Sequence, residues 1–184
     1  MNHYVDYILE QAQKLLAIDS PSGFTGAVSD YLMEEYRRLG YSPQKTVKGG
    51  VLADLGGDGN ALMLLAHVDT LGAMVAEIKS DGRLRLTPIG GLNANNVEAE
   101  NCTVYAMDGK TYEGTIQLAD ASIHVNKSYN DTARTFDSVE LVLDEPVSSK
   151  DDVKKLGIMT GCYVCPQPRT RITASGYIKS RYLD

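Results

Sequence analysis

Apolar residues recur at helical spacing in the first part of the chain and at alternating positions through its middle, and this change of period divides the sequence. Tyr4, Ile8, Leu15 and Leu16 lie close to one helical stripe, so Asn2 to Ala17 is predicted as an amphipathic helix closed by Asp19-Ser20-Pro21-Ser22-Gly23. A second helix follows, with Thr25 as N-cap, a buried stripe of Val28, Tyr31, Leu32 and Leu39, Arg37 and Arg38 near the negative end of the helix dipole, and Gly40 as the closing glycine. Two short strands, Val51 to Leu55 and Ala61 to Ala66, are predicted to form a hairpin across Gly56-Gly57-Asp58-Gly59-Asn60.

Beyond Gly72 the pattern alternates. Met74 to Ile78 and Arg83 to Leu86 flank Ser80-Asp81-Gly82 as one hairpin, and Thr103 to Met107 and Thr111 to Ile116 flank Asp108-Gly109 as another. Val139 to Leu143 adds a strand, and Ser149 opens a short helix, Lys150 to Leu156, ended by Gly157. Residues 73–160 therefore read as all-β with one helix, a small barrel inserted into an α/β chain. Arg171-Ile172-Thr173 and Tyr177-Ile178-Lys179-Ser180 are strand-like.

Composition narrows the classes. With 184 residues, 43% of them hydrophobic, the chain can bury a real core. A net charge of −6, with no basic cluster longer than Arg37-Arg38 or Lys154-Lys155, leaves no electrostatic footprint for nucleic acid. No apolar run reaches the roughly 18 residues of a membrane span, and the N-terminus has neither a basic start nor an apolar signal core, so a cytoplasmic protein without membrane partners is expected. Cys102, Cys162 and Cys165 have no framework spacing, which agrees with a reducing compartment. The CxxC of Cys162 to Cys165 falls on a predicted strand with no second pair, and reads as incidental.

The candidate chemistry follows the run Leu62-Met63-Leu64-Leu65-Ala66, which delivers His67-Val68-Asp69-Thr70-Leu71-Gly72 to a predicted strand end, where open α/β proteins place their ligands. His67 and Asp69 are two apart, so on a continuing strand both side chains leave one face. The carboxylate can then hold one imidazole nitrogen and free the other for a metal or substrate. Burying such a pair without a task is costly. Asp184 matters only as a partner of His67, since a carboxylate can bridge two metal ions. His124 sits on an alternating segment and reads as structural, while Gly49-Gly50 and Gly90-Gly91 lack a phosphate-loop continuation.

Taken in order, Ala66-His67-Val68-Asp69-Thr70-Leu71-Gly72, Thr87-Pro88-Ile89-Gly90-Gly91, Gly114-Thr115-Ile116, Ser122-Ile123-His124 and Gly176-Tyr177-Ile178-Lys179-Ser180-Arg181-Tyr182-Leu183-Asp184 resemble the M42 family of metalloaminopeptidases, which includes glutamyl and tetrahedral aminopeptidases. The resemblance runs through essentially the whole chain. It implies a phosphorylase/hydrolase-like α/β/α catalytic domain, here incomplete, over residues 1–72 and 161–184, interrupted at 73–160 by a β-barrel that mediates dimerisation. It further implies two divalent ions, zinc or cobalt, activating a water for attack on the first peptide bond of peptide substrates. His67 matches a ligand of one ion, Asp184 the bridge between both, and Asp69 the carboxylate that orients the histidine.

The family continues past this point with a second aspartate, a Glu-Glu pair, a further acidic ligand and a late histidine. It also carries Gly-Asp where this chain has Gly161-Cys162, Phe-Asp near Pro166-Gln167, and His at Tyr182. The chain is therefore expected to be the N-terminal half of such an enzyme, without activity alone, and to form homo-oligomers, from dimers to dodecamers by family analogy. One alternative is a non-catalytic oligomerisation or binding module derived from such a peptidase. Another keeps the catalytic fold and changes the substrate, towards a related peptidase or deacylase.

Overall fold

The computed structural model describes residues 3–182; Met1, Asn2, Leu183 and Asp184 lie outside the described residues. Two helices, α1 (His3–Leu16) and α2 (Gly26–Arg38), lead into a short antiparallel pair, β1 (Gln44–Lys45) with β2 (Val51–Leu52). Six strands then close a barrel: β3 (Gly72–Ile78), β4 (Leu84–Ile89), β5 (Asn101–Tyr105), β6 (Thr111–Leu118), β7 (Val139–Leu143) and β8 (Tyr163–Pro166). Their order around the barrel is β3-β4-β7-β6-β5-β8, every pairing is antiparallel, and β8 returns to β3. Helix α3 (Lys150–Lys155) joins β7 to β8, and a hairpin of β9 (Arg171–Ile172) and β10 (Ile178–Lys179) follows.

The alternation read from the sequence is what fills the barrel. Leu84 and Leu86 on β4, Cys102 and Val104 on β5, Ile116 and Leu118 on β6, and Val139 and Leu141 on β7 all point inward and are essentially fully buried. Strand β3 breaks its own period: Ala73 and Val75 point in, yet the next inward residue is Ile78. A bulge explains this, because Val75 pairs with Leu86 while Glu77, not Ala76, pairs with Arg85. The extra residue turns Glu77 outward, where its carboxylate lies 3.1 Å from Arg85 Nε.

Closure also needs one position without a side chain. A Cβ at Gly114 would lie 2.6 Å from the Val142 carbonyl oxygen and 2.7 Å from Leu141 Cδ2, so β6 can approach β7 there only as glycine. The fully buried Glu140 on β7 is neutralised by Lys79 Nζ at 2.6 Å and by the Arg83 guanidinium, which keeps a carboxylate tolerable inside the wall. Both predicted Asp-Gly turns form. Gly82 (φ 84°) and Gly109 (φ 85°) occupy the left-handed positions, with Asp81 and Asp108 carboxylates accepting from the Arg83 and Lys110 amides. Ser149 caps α3 reciprocally: its hydroxyl accepts from the Asp152 amide at 3.2 Å and donates to Asp152 Oδ2 at 2.6 Å.

Four expectations are corrected. Tyr4 and Ile8 are exposed, because α1 meets α2 through a different face: Tyr7 Oη donates to Glu35 Oε1 and Tyr31 Oη donates to Gln11 Oε1, each at 2.6 Å. Leu39 is also exposed, and Met33 with Ser29 takes its place beside Val28 on the covered face of α2. The hairpin of Val51–55 with Ala61–66 does not form. Val51–Leu52 pairs with Gln44–Lys45 instead, and residues 61–66 carry no regular secondary structure, with Leu62 at 86% and Leu65 at 86% exposure. An apolar strand needs neighbours at its edges and faces, and none of the described residues supplies them. His124, finally, lies exposed in the turns between β6 and β7, not on a strand.

Candidate functional site

His67 and Asp69 do not stand on a strand, yet the spacing of two still brings them together. His67 Nδ1 lies 3.2 Å from Asp69 Oδ1 and 3.3 Å from the Asp69 carbonyl oxygen. What holds the segment is the loop between α1 and α2. Thr70 and Pro21 form a parallel bridge, the Thr70 amide donates to the Ser20 carbonyl at 2.9 Å, and Ser20 Oγ donates to the Val68 carbonyl at 2.9 Å. Gly72 permits the approach, since a Cβ there would come within 2.6 Å of Pro21 Cβ. Two motifs far apart in sequence thus form one backbone ledge.

Electrostatics on that ledge are directional. Ser22 Oγ donates to Asp69 Oδ2 at 2.5 Å, and this bond, with a smaller contribution from His67, holds the Asp69 carboxyl below its ordinary range. Asp69 is therefore ionised near neutrality. An ionised carboxylate and a carbonyl both facing Nδ1 favour the tautomer with its proton there. Nε2 then keeps its lone pair, makes no hydrogen bond among the described residues, and belongs to a side chain that is 62% exposed. That donor chemistry fits one ligand position of a divalent ion. Among the described residues no group of three or more His, Cys, Asp and Glu converges on a common point. Of the predicted site residues, then, His67 and Asp69 are brought together, and Asp184 lies outside the described residues.

Ser20 and Ser22 had escaped the sequence reading. Within Asp19-Ser20-Pro21-Ser22-Gly23 they carry only a turn signal, and no periodicity links them to a motif so distant in the chain. The ledge is anchored on the barrel by aromatic packing: the Phe24 ring lies 4.7 Å from both Tyr105 and Tyr163, and Tyr105 Oη donates to Asp19 Oδ2 at 2.7 Å. Burial raises the Asp19 carboxyl despite that bond. The three cysteines are free and buried, and burial pushes the Cys102 thiol up to about 12 and raises Cys165 as well. The Cys102 and Cys165 thiols therefore stay protonated near neutral pH.

A closed antiparallel barrel carried on an α/β chain, beside an imidazole with one nitrogen held and the other open, defines the class of structure. The family model for M42 glutamyl aminopeptidase matches residues 49–184, and the chain belongs to that family. The chain is 43% identical over 178 residues to YhfE of Bacillus subtilis (strain 168), an aminopeptidase-family protein, covering 96% of this chain and 51% of that one. Among solved structures, the aminopeptidase APDkam598 from the archaeon Desulfurococcus kamchatkensis superposes with a TM-score of 0.79 at 25% identity, over 93% of this chain and 46% of the other. The Pyrococcus horikoshii TET1 peptidase, described as assembling into a tetrahedron or a large octahedral shell, shares the fold with a TM-score of 0.78 at 19% identity, over 96% and 51% of the two chains. The chain spans about half the length of the relatives it matches. No helix among the described residues is long and apolar enough to cross a membrane.

Proposed function

We propose that this chain forms one wall of a metal-dependent aminopeptidase site that releases N-terminal residues from peptides. The observation that carries the reading is the Asp69 contact to His67 Nδ1, which sets the imidazole to offer Nε2 outward. His67 is the ligand, Asp69 orients it and keeps its tautomer, and Ser22 keeps Asp69 ionised. Asp184 is proposed as the carboxylate shared between two sites. Two divalent cations, zinc or cobalt, supply the Lewis acidity for attack of water on the first peptide bond when bound. The general base and the remaining ligands are not among these residues, so the chain alone is proposed to be inactive.

The division proposed is residues 1–72 and 161–184 for the catalytic part and 73–160 for a barrel that mediates homo-oligomer formation. The assembling TET1 peptidase, which shares the fold, supports the second role by analogy. Strand β8 links the parts, belonging to the second catalytic segment in sequence while closing the barrel in space.

Zinc or cobalt titrated into the chain tests the reading. Weak uptake that His67→Ala abolishes is expected, with no release of amino acid from peptides. Uptake unchanged in His67→Ala would refute the ligand assignment, and metal-dependent release by this chain would refute its predicted inactivity. A second reading, a non-catalytic assembly module, is favoured by one observation: the main cluster of buried apolar residues lies within residues 73–164, with Val28, Met33 and Cys165 the buried hydrophobic residues outside it among the described residues. Metal uptake by His67 decides against it, whereas assembly that responds only to barrel substitutions decides for it.

A further inference from the structure

Far from His67 in sequence and close to its ledge in space, one buried carboxylate holds two guanidinium groups. Glu100, just before β5, is 6% exposed. Its Oε1 contacts Arg181 Nη1, and its Oε2 lies 3.2 Å from Arg169 Nη2, a pairing by charge, since Oε2 receives no hydrogen bond. The two arginines bracket the β9–β10 hairpin. Its ends are drawn together by the Arg181 amide donating to the Pro168 carbonyl at 2.9 Å and by the Thr170 and Ser180 hydroxyls, 2.7 Å apart.

The next residue completes the connection. The Tyr182 carbonyl accepts from the Leu71 amide at 3.0 Å, and its hydroxyl donates to the Asn96 carbonyl at 3.0 Å. Leu71 is two residues from Asp69. A continuous chain of contacts therefore runs from Glu100 through Arg181 and Tyr182 to the segment that carries His67.

The backbone carries an independent mark of the same junction. Among the described residues only three that are not glycine have positive φ: Ala99 at 66°, Arg169 at 49° and Tyr182 at 60°. The first precedes Glu100, the second is its partner, and the third follows its other partner. Side-chain-bearing residues stay in the left-handed region only where their surroundings over-determine them, and such strain gathers at functional sites.

We propose that Glu100 is a positioning residue. It clasps both ends of the β9–β10 hairpin to the barrel and so, through Tyr182 and the Leu71 amide, braces the segment that carries His67. The value of that brace to a metal ligand at His67 rests on the metallopeptidase reading above; the clasp itself does not. Losing the carboxylate charge would leave two arginines facing a buried amide, with nothing to offset the strained backbone on either side.

Glu100→Gln in the chain of 184 residues tests this, since it keeps the shape and removes the charge. Hydrogen exchange should rise at least about tenfold at the Leu71 and Arg181 amides and stay unchanged at Val75, inside the barrel. Zinc affinity should fall about tenfold, the lower range for a residue that orients a ligand. Arg181→Ala, a change at a half-exposed side chain, should reproduce both effects, and the double variant should add little to either single one.

Unchanged exchange at Leu71 and Arg181 in both single variants would overturn the clasp. Raised exchange with zinc affinity intact would overturn its service to the site, and a general rise that includes Val75 in both variants would reduce Glu100 to a core residue. Wild-type chain that takes up no zinc would overturn the service of the clasp to metal binding in this chain, while exchange still decides the clasp.

Discussion

At the scale of single residues, the chain repeatedly uses one ionised group to fix two elements. Glu35 on α2 accepts from Tyr7 of α1 and holds Arg38, whose guanidinium approaches to 2.5 Å and 2.8 Å. The Arg38 bonds, then that of Tyr7, lower the Glu35 carboxyl from 4.5 to about 2, and burial with the Glu35 bond raises Tyr7 to about 12. Because the folded value lies below the unfolded one, the stabilisation is fully present above about 4.5 and is lost as pH falls towards 2. Acid should therefore loosen α1 from α2 before it opens the barrel, read as faster exchange in α1 between those values; Glu35→Gln should flatten the dependence. Asp69 follows the same sign, so Ser22→Ala should raise its pKa, measured by carboxyl NMR titration. These partnerships were illegible in the sequence, because Tyr7 and Glu35, or Ser22 and Asp69, meet only through loops whose geometry no local pattern encodes.

At the scale of elements, the barrel was the most legible part. Its strands alternate, and its two Asp-Gly turns and the Ser149 cap carry local chemistry that survives any tertiary context. The bulge in β3 was not visible, since Met74 to Ile78 alternates plausibly in either register and only the pairing with β4 decides which residue is extra. Gly114 belongs to the same class of feature: its motif pointed to a family, and the contact with Val142 and Leu141 gives the reason. Gly114→Ala should destabilise the barrel by about 1–3 kcal/mol through overpacking, with the midpoint of urea unfolding falling accordingly. Gly109→Ala, at a left-handed turn with open space around it, should cost about 1 kcal/mol from backbone strain alone.

At the scale of the whole molecule, the apolar surface is divided unevenly. The barrel strands bury their large apolar side chains, whereas Leu62, Met63, Leu64 and Leu65 stand between 67% and 86% exposed, and Leu52 and Leu55 are exposed as well. Each such side chain gains about 1.5–3 kcal/mol on full burial, so this apolar segment should drive association of the isolated chain. Leu62→Lys with Leu64→Lys should reduce both dye binding and apparent mass in solution; a monodisperse monomer that binds no dye before substitution would sink the expectation.

What the sequence alone determined was whatever depends on near neighbours: the helix positions, the alternating barrel strands, the Asp-Gly turns, and the spacing that joins His67 to Asp69. Only tertiary structure decided that residues 61–66 stay unpaired, that the loop at Ser20 to Ser22 supports the His67 segment, and that Glu100 gathers two arginines from a distant hairpin. The physical reason is range: backbone propensity and turn chemistry act over a few residues, while the burial of charge and the pairing of a strand depend on whatever the fold brings alongside.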